Sequence, residues 1–148
     1  MSDTAPTSFD GTELDFWLGE WQVSWDGGHG TNRVTRILGD QVLLEEFEEA
    51  PPAHGTPPLD GRSWSVFDPA RGLWRQTWVD NQGSYLDLVG ETVDGCFAFE
   101  RAAPERGPAA RQRMVFRDVE PSRFRWTWES SPDDGATWVT RWEIAYTR

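Results

Sequence analysis

From Gly19 to the end of the chain, apolar and polar residues alternate with period two, and turn-forming residues interrupt them at short intervals. Trp21, Val23 and Trp25 alternate with Gln22 and Ser24 until Asp26-Gly27-Gly28 ends the run. A second run at about 31–38 meets Gly39-Asp40, a two-residue hairpin signal, and returns as 41–48. Further runs follow at 62–67, 73–80, 84–91, 96–101, 111–118, 122–129 and 136–147. Between them stand turn formers such as Asp68-Pro69-Ala70-Arg71-Gly72, Asn81-Gln82-Gly83, Asp94-Gly95 and Pro132-Asp133-Asp134-Gly135. Two segments break this rhythm. Ala50 to Gly61 carries Pro51, Pro52, Pro57 and Pro58 and reads as a long loop at one end of the fold, placed to gate entry. Ala102 to Ala110 reads as a second loose loop.

The pattern predicts an all-β chain of about ten strands, with connections mostly too short for parallel crossovers. An open meander would leave two edges exposed, and closure into an antiparallel up-and-down barrel removes both. A two-sheet sandwich is the competing architecture. A barrel of this strand number has room for a small ligand. Only Gly11 to Leu18 reads as a short helix, with Leu14, Phe16, Trp17 and Leu18 able to plug one end. The expected organisation is a flexible tail at 1–10 and a single barrel domain at 11–148.

Strand parity then assigns faces. Phe124, Trp126 and Trp128 share one face, as do Trp138, Trp142, Ile144 and Tyr146, and Trp74, Gln76, Trp78 and Asp80. Trp64 and Val66, Phe97 and Phe99, and Met114 and Phe116 extend this inward aromatic face. The strands at 31–48 and 84–91 are ambiguous: Glu45 with Phe47, or Val42 with Leu44 and Glu46, read equally well inward. Polar residues on the inward face are the informative ones, because a buried polar group needs a partner. Gln76 lies between two inward tryptophans, and Asp80 ends the same strand. Asn32, Arg36, Glu46 and Thr140 join them if their parity holds, whereas Glu45, Glu48 and Glu49 read as solvated surface.

Composition sharpens this picture. Ten tryptophans in 148 residues are enough to dominate a core or line a pocket. The formal charge of −11 disfavours nucleic acid and anionic membranes as partners. The chain has no lysine, which excludes Schiff-base chemistry. A single cysteine, Cys96, allows no internal disulfide and reads as a small core filler. The polar start and the lack of long apolar stretches make the cytoplasm the expected location.

Phe16-Trp17-Leu18-Gly19-Glu20-Trp21 contains a Gly-x-Trp that resembles the opening motif of lipocalins. The resemblance implies that Trp21 seals the closed end and that an Arg from the last strand, Arg148 or else Arg141, packs across its ring. With Trp74 to Asp80, Gly83 to Gly90 and Arg117 to Glu129, most of the chain resembles bacterial calycin-like (lipocalin-like) barrel proteins. That group implies a fold and no particular activity. The related nitrobindins hold haem through a histidine late in the chain. Here the only histidines are His29 and His54, both in expected loops, so neither haem nor another cofactor is expected.

No metal-ligand cluster, phosphate loop or nucleophile elbow is present, and acid–base work would rest on a carboxylate pair such as Glu46 and Asp80. The leading expectation is binding of a small apolar or aromatic molecule by Trp74, Trp78, Trp126, Trp128 and Trp142, oriented by Gln76, with Asn32, Glu46 and Asp80 as further polar contacts. The alternatives are a cofactor-free isomerase, cyclase or dehydratase using an inward carboxylate, and a structural or interaction module with a filled core. A homodimer stays open. The volume and lining of the interior discriminate among the three.

Overall fold

Each alternating run forms a strand, and in the computed structural model, which describes residues 8–53 and 55–148, ten antiparallel strands close into one barrel. They are β1 (Gly19–Trp25), β2 (Gly28–Ile37), β3 (Val42–Glu49), β4 (Asp60–Asp68), β5 (Leu73–Asp80), β6 (Tyr85–Val93), β7 (Cys96–Ala102), β8 (Arg111–Glu120), β9 (Arg123–Ser131) and β10 (Val139–Thr147). Every strand pairs with its neighbours in sequence, and β1 closes the ring against β10, with Val23 opposite Tyr146. This architecture excludes the sandwich and is compatible with a calycin-like fold. No α-helix occurs among the described residues; the helix expected near the start is one 3-10 turn, Asp15–Trp17. Leu18 is already extended and leads straight into β1. Of the tail expected at 1–10, residues 1–7 lie outside the described residues, as does His54. Phe9 is docked, its N–H donating to Gly72 O and its ring meeting Phe97 edge-on.

The segment before β1 seals one end. Leu14 and Trp17 are fully buried against the core, and Phe16 meets Phe116 and Phe124 edge-on. Glu13 Oε1 accepts from Trp74 Nε1 at 2.9 Å, which ties the segment to β5. Trp21 Nε1 donates to Trp17 O at 2.9 Å, and the Arg148 guanidinium lies 3.9 Å from the centre of the Trp21 ring. That is the contact implied by the opening-motif resemblance, made by Arg148; Arg141 donates instead to Ser130 Oγ. The motif's glycine has a steric role. Gly19 sits at φ +118°, where a Cβ would fall 2.9 Å from Arg148 Nη1.

Four assignments of facing are corrected by neighbouring strands. Trp64 and Val66 point outward, at 37% and 41% exposure, because the inner positions of β4 are Gly61, Ser63 and Ser65. The Trp78 indole of β5 lies over Gly61, where a Cβ would come within 2.2 Å of the ring, so β4 has to be thin on that face. Trp138 also lies outside, stacked under Arg113 at 3.9 Å. The ladder between β9 and β10 shifts register between Thr140 and Trp142, and one extra residue reverses the parity of everything before it. Thr140 is exposed for the same reason.

On β3 the inward residues are Leu43, Glu45 and Phe47. Glu46 faces outward opposite Arg33 of β2 and Arg62 of β4, and those two cations favour this frame. Glu45, expected on the surface, is 7% exposed. On β6 the inward residues are Leu86 and Leu88, with Tyr85 and Val89 outside. Arg36 leaves the interior to pair with Asp15 at 2.7 Å. Cys96 is half-buried at the Asp94-Gly95 turn and is not part of the core. His29, expected in a loop, is an exposed residue of β2 opposite Ser24.

Candidate functional site

The two halves of the barrel are filled differently. Toward the sealed end, Trp17, Trp21, Phe99, Phe116 and Phe124 pack solidly. Toward the other end the indoles of Trp78, Trp126, Trp128 and Trp142 line a cavity of about 290 Å³ with Phe47, Met114 and Ile144. Its mouth is formed by Leu59 of the Pro-rich loop, Asp80 and Ser84 of the β5–β6 turn, and Glu105 and Arg106 of the 3-10 turn Pro104–Arg106. Leu59 is fastened to β3 by two hydrogen bonds with Glu49, one to its carboxylate and one to its backbone N–H, both 2.9 Å.

The rings form a box of faces and edges. Trp126 and Trp128 are parallel to within 8°, and Trp142 stands at 88° to Trp126 with centroids 5.7 Å apart. Phe47 lies 6.0 Å from Trp142 and 6.3 Å from Trp78, both edge-on. Side chains at i and i+2 of β9 supply the parallel pair, because that spacing places neighbours on one face of a strand.

Sequence reasoning brought Trp78, Trp126, Trp128, Trp142 and Asp80 to this lining, and the structure places Trp74, Gln76, Asn32 and Glu46 elsewhere. Trp74 precedes Trp78 by four residues, about 13 Å along a strand. It is packed at the sealed end against Phe67 and Phe97. Gln76 lies between those levels, buried, with Nε2 donating to Ser65 Oγ at 2.9 Å. Glu46 is on the outer surface, so the proposed pairing of Glu46 with Asp80 does not occur. Asp80 is occupied structurally. Its Oδ2 accepts from Trp78 Nε1 at 2.9 Å and its Oδ1 from the backbone of Gln82 and Ser84. Burial pushes its pKa up, but these donors outweigh burial and hold it below the ordinary range. Asp80 therefore fixes the tilt of the Trp78 ring.

The residue that parity could not place is the chemically distinctive one. Glu45 lines the cavity, with Oε1 accepting from Ser63 Oγ at 2.7 Å and Oε2 from Asn32 Nδ2 at 2.8 Å. Asn32 Nδ2 also donates to Tyr146 Oη at 2.9 Å, so the phenol's own hydrogen is not used in that bond. Burial raises the Glu45 pKa, and the bonds from Ser63 and Asn32 only partly offset it. Burial, then the nearby Glu45, keeps the Tyr146 phenol protonated well above its usual range. The only signal for Glu45 in the sequence was its shared parity with Phe47. Asn32 Oδ1 and Gln76 Oε1 are among the buried polar atoms without a partner in the described residues. Among those residues no group of three or more His, Cys, Asp or Glu side chains is placed to hold a metal ion.

A buried acid with a raised pKa holds its proton longer in the folded state than in the unfolded chain. Stability then falls as pH rises from the ordinary glutamate value of about 4.3 through the folded-state pKa. Glu45→Gln removes that slope while keeping the volume, and Asn32 can turn over so that Oδ1 accepts from the new amide. Urea denaturation is expected to show the variant more stable than wild type at pH 7.5. The gain shrinks toward pH 4. A variant less stable than wild type at pH 7.5 contradicts the assignment of Glu45 as an uncompensated buried acid.

Compared with known proteins, the chain matches no protein-family model and no curated protein.

Proposed function

We propose that this protein is a calycin-type binder of a small aromatic molecule, held in the open half of its barrel. The supporting observation is the cluster of Phe47, Trp78, Trp126, Trp128 and Trp142, whose rings line a cavity instead of filling it. A volume near 290 Å³ lies at the small end of ligand pockets and suits one or two fused rings. A planar ring set against these indoles gains stacked or edge contacts. The cavity weighs against a module with a filled core.

Titration of the protein with 1-naphthol, followed by tryptophan fluorescence, tests the reading. Saturable quenching is expected, with Trp126→Ala and Trp142→Ala each weakening binding about tenfold, the loss of about 1–2 kcal/mol of ring contact. Trp64→Ala leaves binding unchanged, because that indole faces solvent. Equal affinities in all four proteins would reject the cavity as the binding site.

A second reading is favoured by one observation, the carboxyl of Glu45 beside Tyr146 in the cavity. A buried acid of raised pKa is suited to proton transfer, and a phenol can donate to an oxygen where negative charge develops. Conversion of a bound compound by wild type, lost in Glu45→Gln with binding retained, distinguishes an isomerase or dehydratase from a carrier.

A further inference from the structure

Glu45 lies inside the fold, and among the described residues no positive side chain pairs with it. Its hydrogen-bond partners, Asn32 on β2 and Ser63 on β4, are neutral, and Tyr146 on β10 is a neutral phenol. The other interior groups around the cavity, Phe47, Trp78, Leu86, Met114, Trp126, Trp142 and Ile144, carry no charge. The charged residues of the lining are confined to its mouth: Asp80, committed to Trp78, and Glu105 with Arg106. Glu105 is itself engaged by Arg101 at 2.6 Å. A carboxylate has about four acceptor positions, and the two bonds from protein leave about half of them for a ligand.

The aromatic box adds a second, independent feature. Indole faces carry negative quadrupole density and attract cations, most strongly where water is excluded. In this protein the rings of Trp126, Trp128 and Trp142 line the same cavity as Glu45. An anionic ligand meets repulsion from both features, and a neutral one leaves the carboxyl without a counter-charge. Net charge acts in the same direction: at −11 the molecule draws cations toward its surface.

We infer that the cavity recognises a small cationic head group, a quaternary or substituted ammonium attached to an apolar or aromatic body, whose charge meets Glu45 while its methyl or methylene surface lies against the tryptophan rings. This deepens the cavity-binding reading and rests on it. The cation supplies the counter-charge that the fold withholds, so binding favours the ionised form of Glu45. Among the described residues, the other titratable group whose charge is coupled to Glu45 is the Tyr146 phenol, which stays neutral, so the pH dependence of binding is expected to follow Glu45.

The test uses the full chain and two probes of nearly identical shape, phenyltrimethylammonium and tert-butylbenzene, which differ by a charged nitrogen in place of carbon. Binding is read from tryptophan fluorescence up to the solubility limit of each. The expected result is at least tenfold tighter binding of the ammonium at pH 8, an advantage that declines toward pH 5. In Glu45→Gln the preference disappears, and near-ultraviolet circular dichroism confirms that the variant keeps its packed aromatic interior. Should that variant fail to fold, the pH dependence of the two probes in wild type decides by itself. Equal or tighter binding of tert-butylbenzene, or an ammonium affinity unaltered by Glu45→Gln, overturns the inference while leaving the cavity-binding reading intact. Binding of neither probe by a wild type that still binds 1-naphthol overturns the inference alone, and failure of all three removes both.

Discussion

Trp21→Ala is expected to cost about 3–5 kcal/mol, the range for deleting a large aromatic from a packed core. A domain of this size has a total stability of about 5–15 kcal/mol, so the variant falls close to the unfolding threshold. Trp21 is 1% exposed and joins three parts of the sealed end. Its ring meets Phe124 edge-on at 4.9 Å and Tyr146 at 6.0 Å, its Nε1 donates to Trp17 O, and Arg148 covers its face. Removing the indole leaves a void under Arg148 and an unpaired carbonyl at Trp17. Urea denaturation measures the loss. Trp21→Phe is expected to cost less, because it restores most of the ring but not the hydrogen bond. A cost below about 1 kcal/mol for Trp21→Ala would mean that the 3-10 turn and Arg148 seal the barrel without it.

The second large effect is expected outside the barrel wall. Glu129 projects from β9 away from the lumen, yet its side chain is only 4% exposed. It accepts from Arg113 Nε at 2.7 Å, Arg117 Nη2 at 2.8 Å and Thr127 Oγ1 at 2.8 Å, all within the paired strands β8 and β9. Arg113 is covered in turn by Trp138. Glu129→Gln leaves two partly covered guanidinium groups facing an amide, at a cost of about 3 kcal/mol, the low end for breaking a buried pair because both arginines can tilt toward water. Burial works to raise the Glu129 pKa, but donors from Arg117, Thr127 and Arg113 overcome it and hold the value below the ordinary range. For an acid with a depressed folded-state pKa, the stabilisation is complete above about pH 4.3 and is lost as pH falls through the folded value. The stability difference between wild type and Glu129→Gln should therefore stay level from pH 5 to 8 and narrow below about pH 4. A difference that is flat down to pH 2 contradicts the ion-pair account.

These two residues show how unevenly the sequence carries information. Trp21 was legible from its own surroundings, because Gly19-Glu20-Trp21 opens the first alternating run and the chain's final Arg148 returns beside it once the ring closes. Glu129 was legible only as an outward residue; its burial depends on Arg113 and Arg117 of β8 and on Trp138 just before β10. The candidate site divides in the same way. Trp126, Trp128 and Trp142 follow from alternation within uninterrupted stretches, and the structure brings them to one cavity. Trp138 follows the same alternation by count and fails, because the bulge before Trp142 is a property of the pairing with β9.

Strand number, antiparallel order and the crowding of most indoles inside were determined by the sequence alone. They rest on local physics: a strand alternates its side chains whatever lies beside it, and Gly, Pro, Asn and Asp bend the chain wherever they stand. Three things were decided only by tertiary structure: that Glu45 and not Glu46 enters the lumen, that β4 turns Trp64 outward, and that one half of the barrel is solid while the other encloses space. Each is a choice between frames of nearly equal hydrophobicity. Such a choice is settled by the bulk and charge of neighbours distant in sequence: Trp78 over Gly61, and Arg33 and Arg62 beside Glu46.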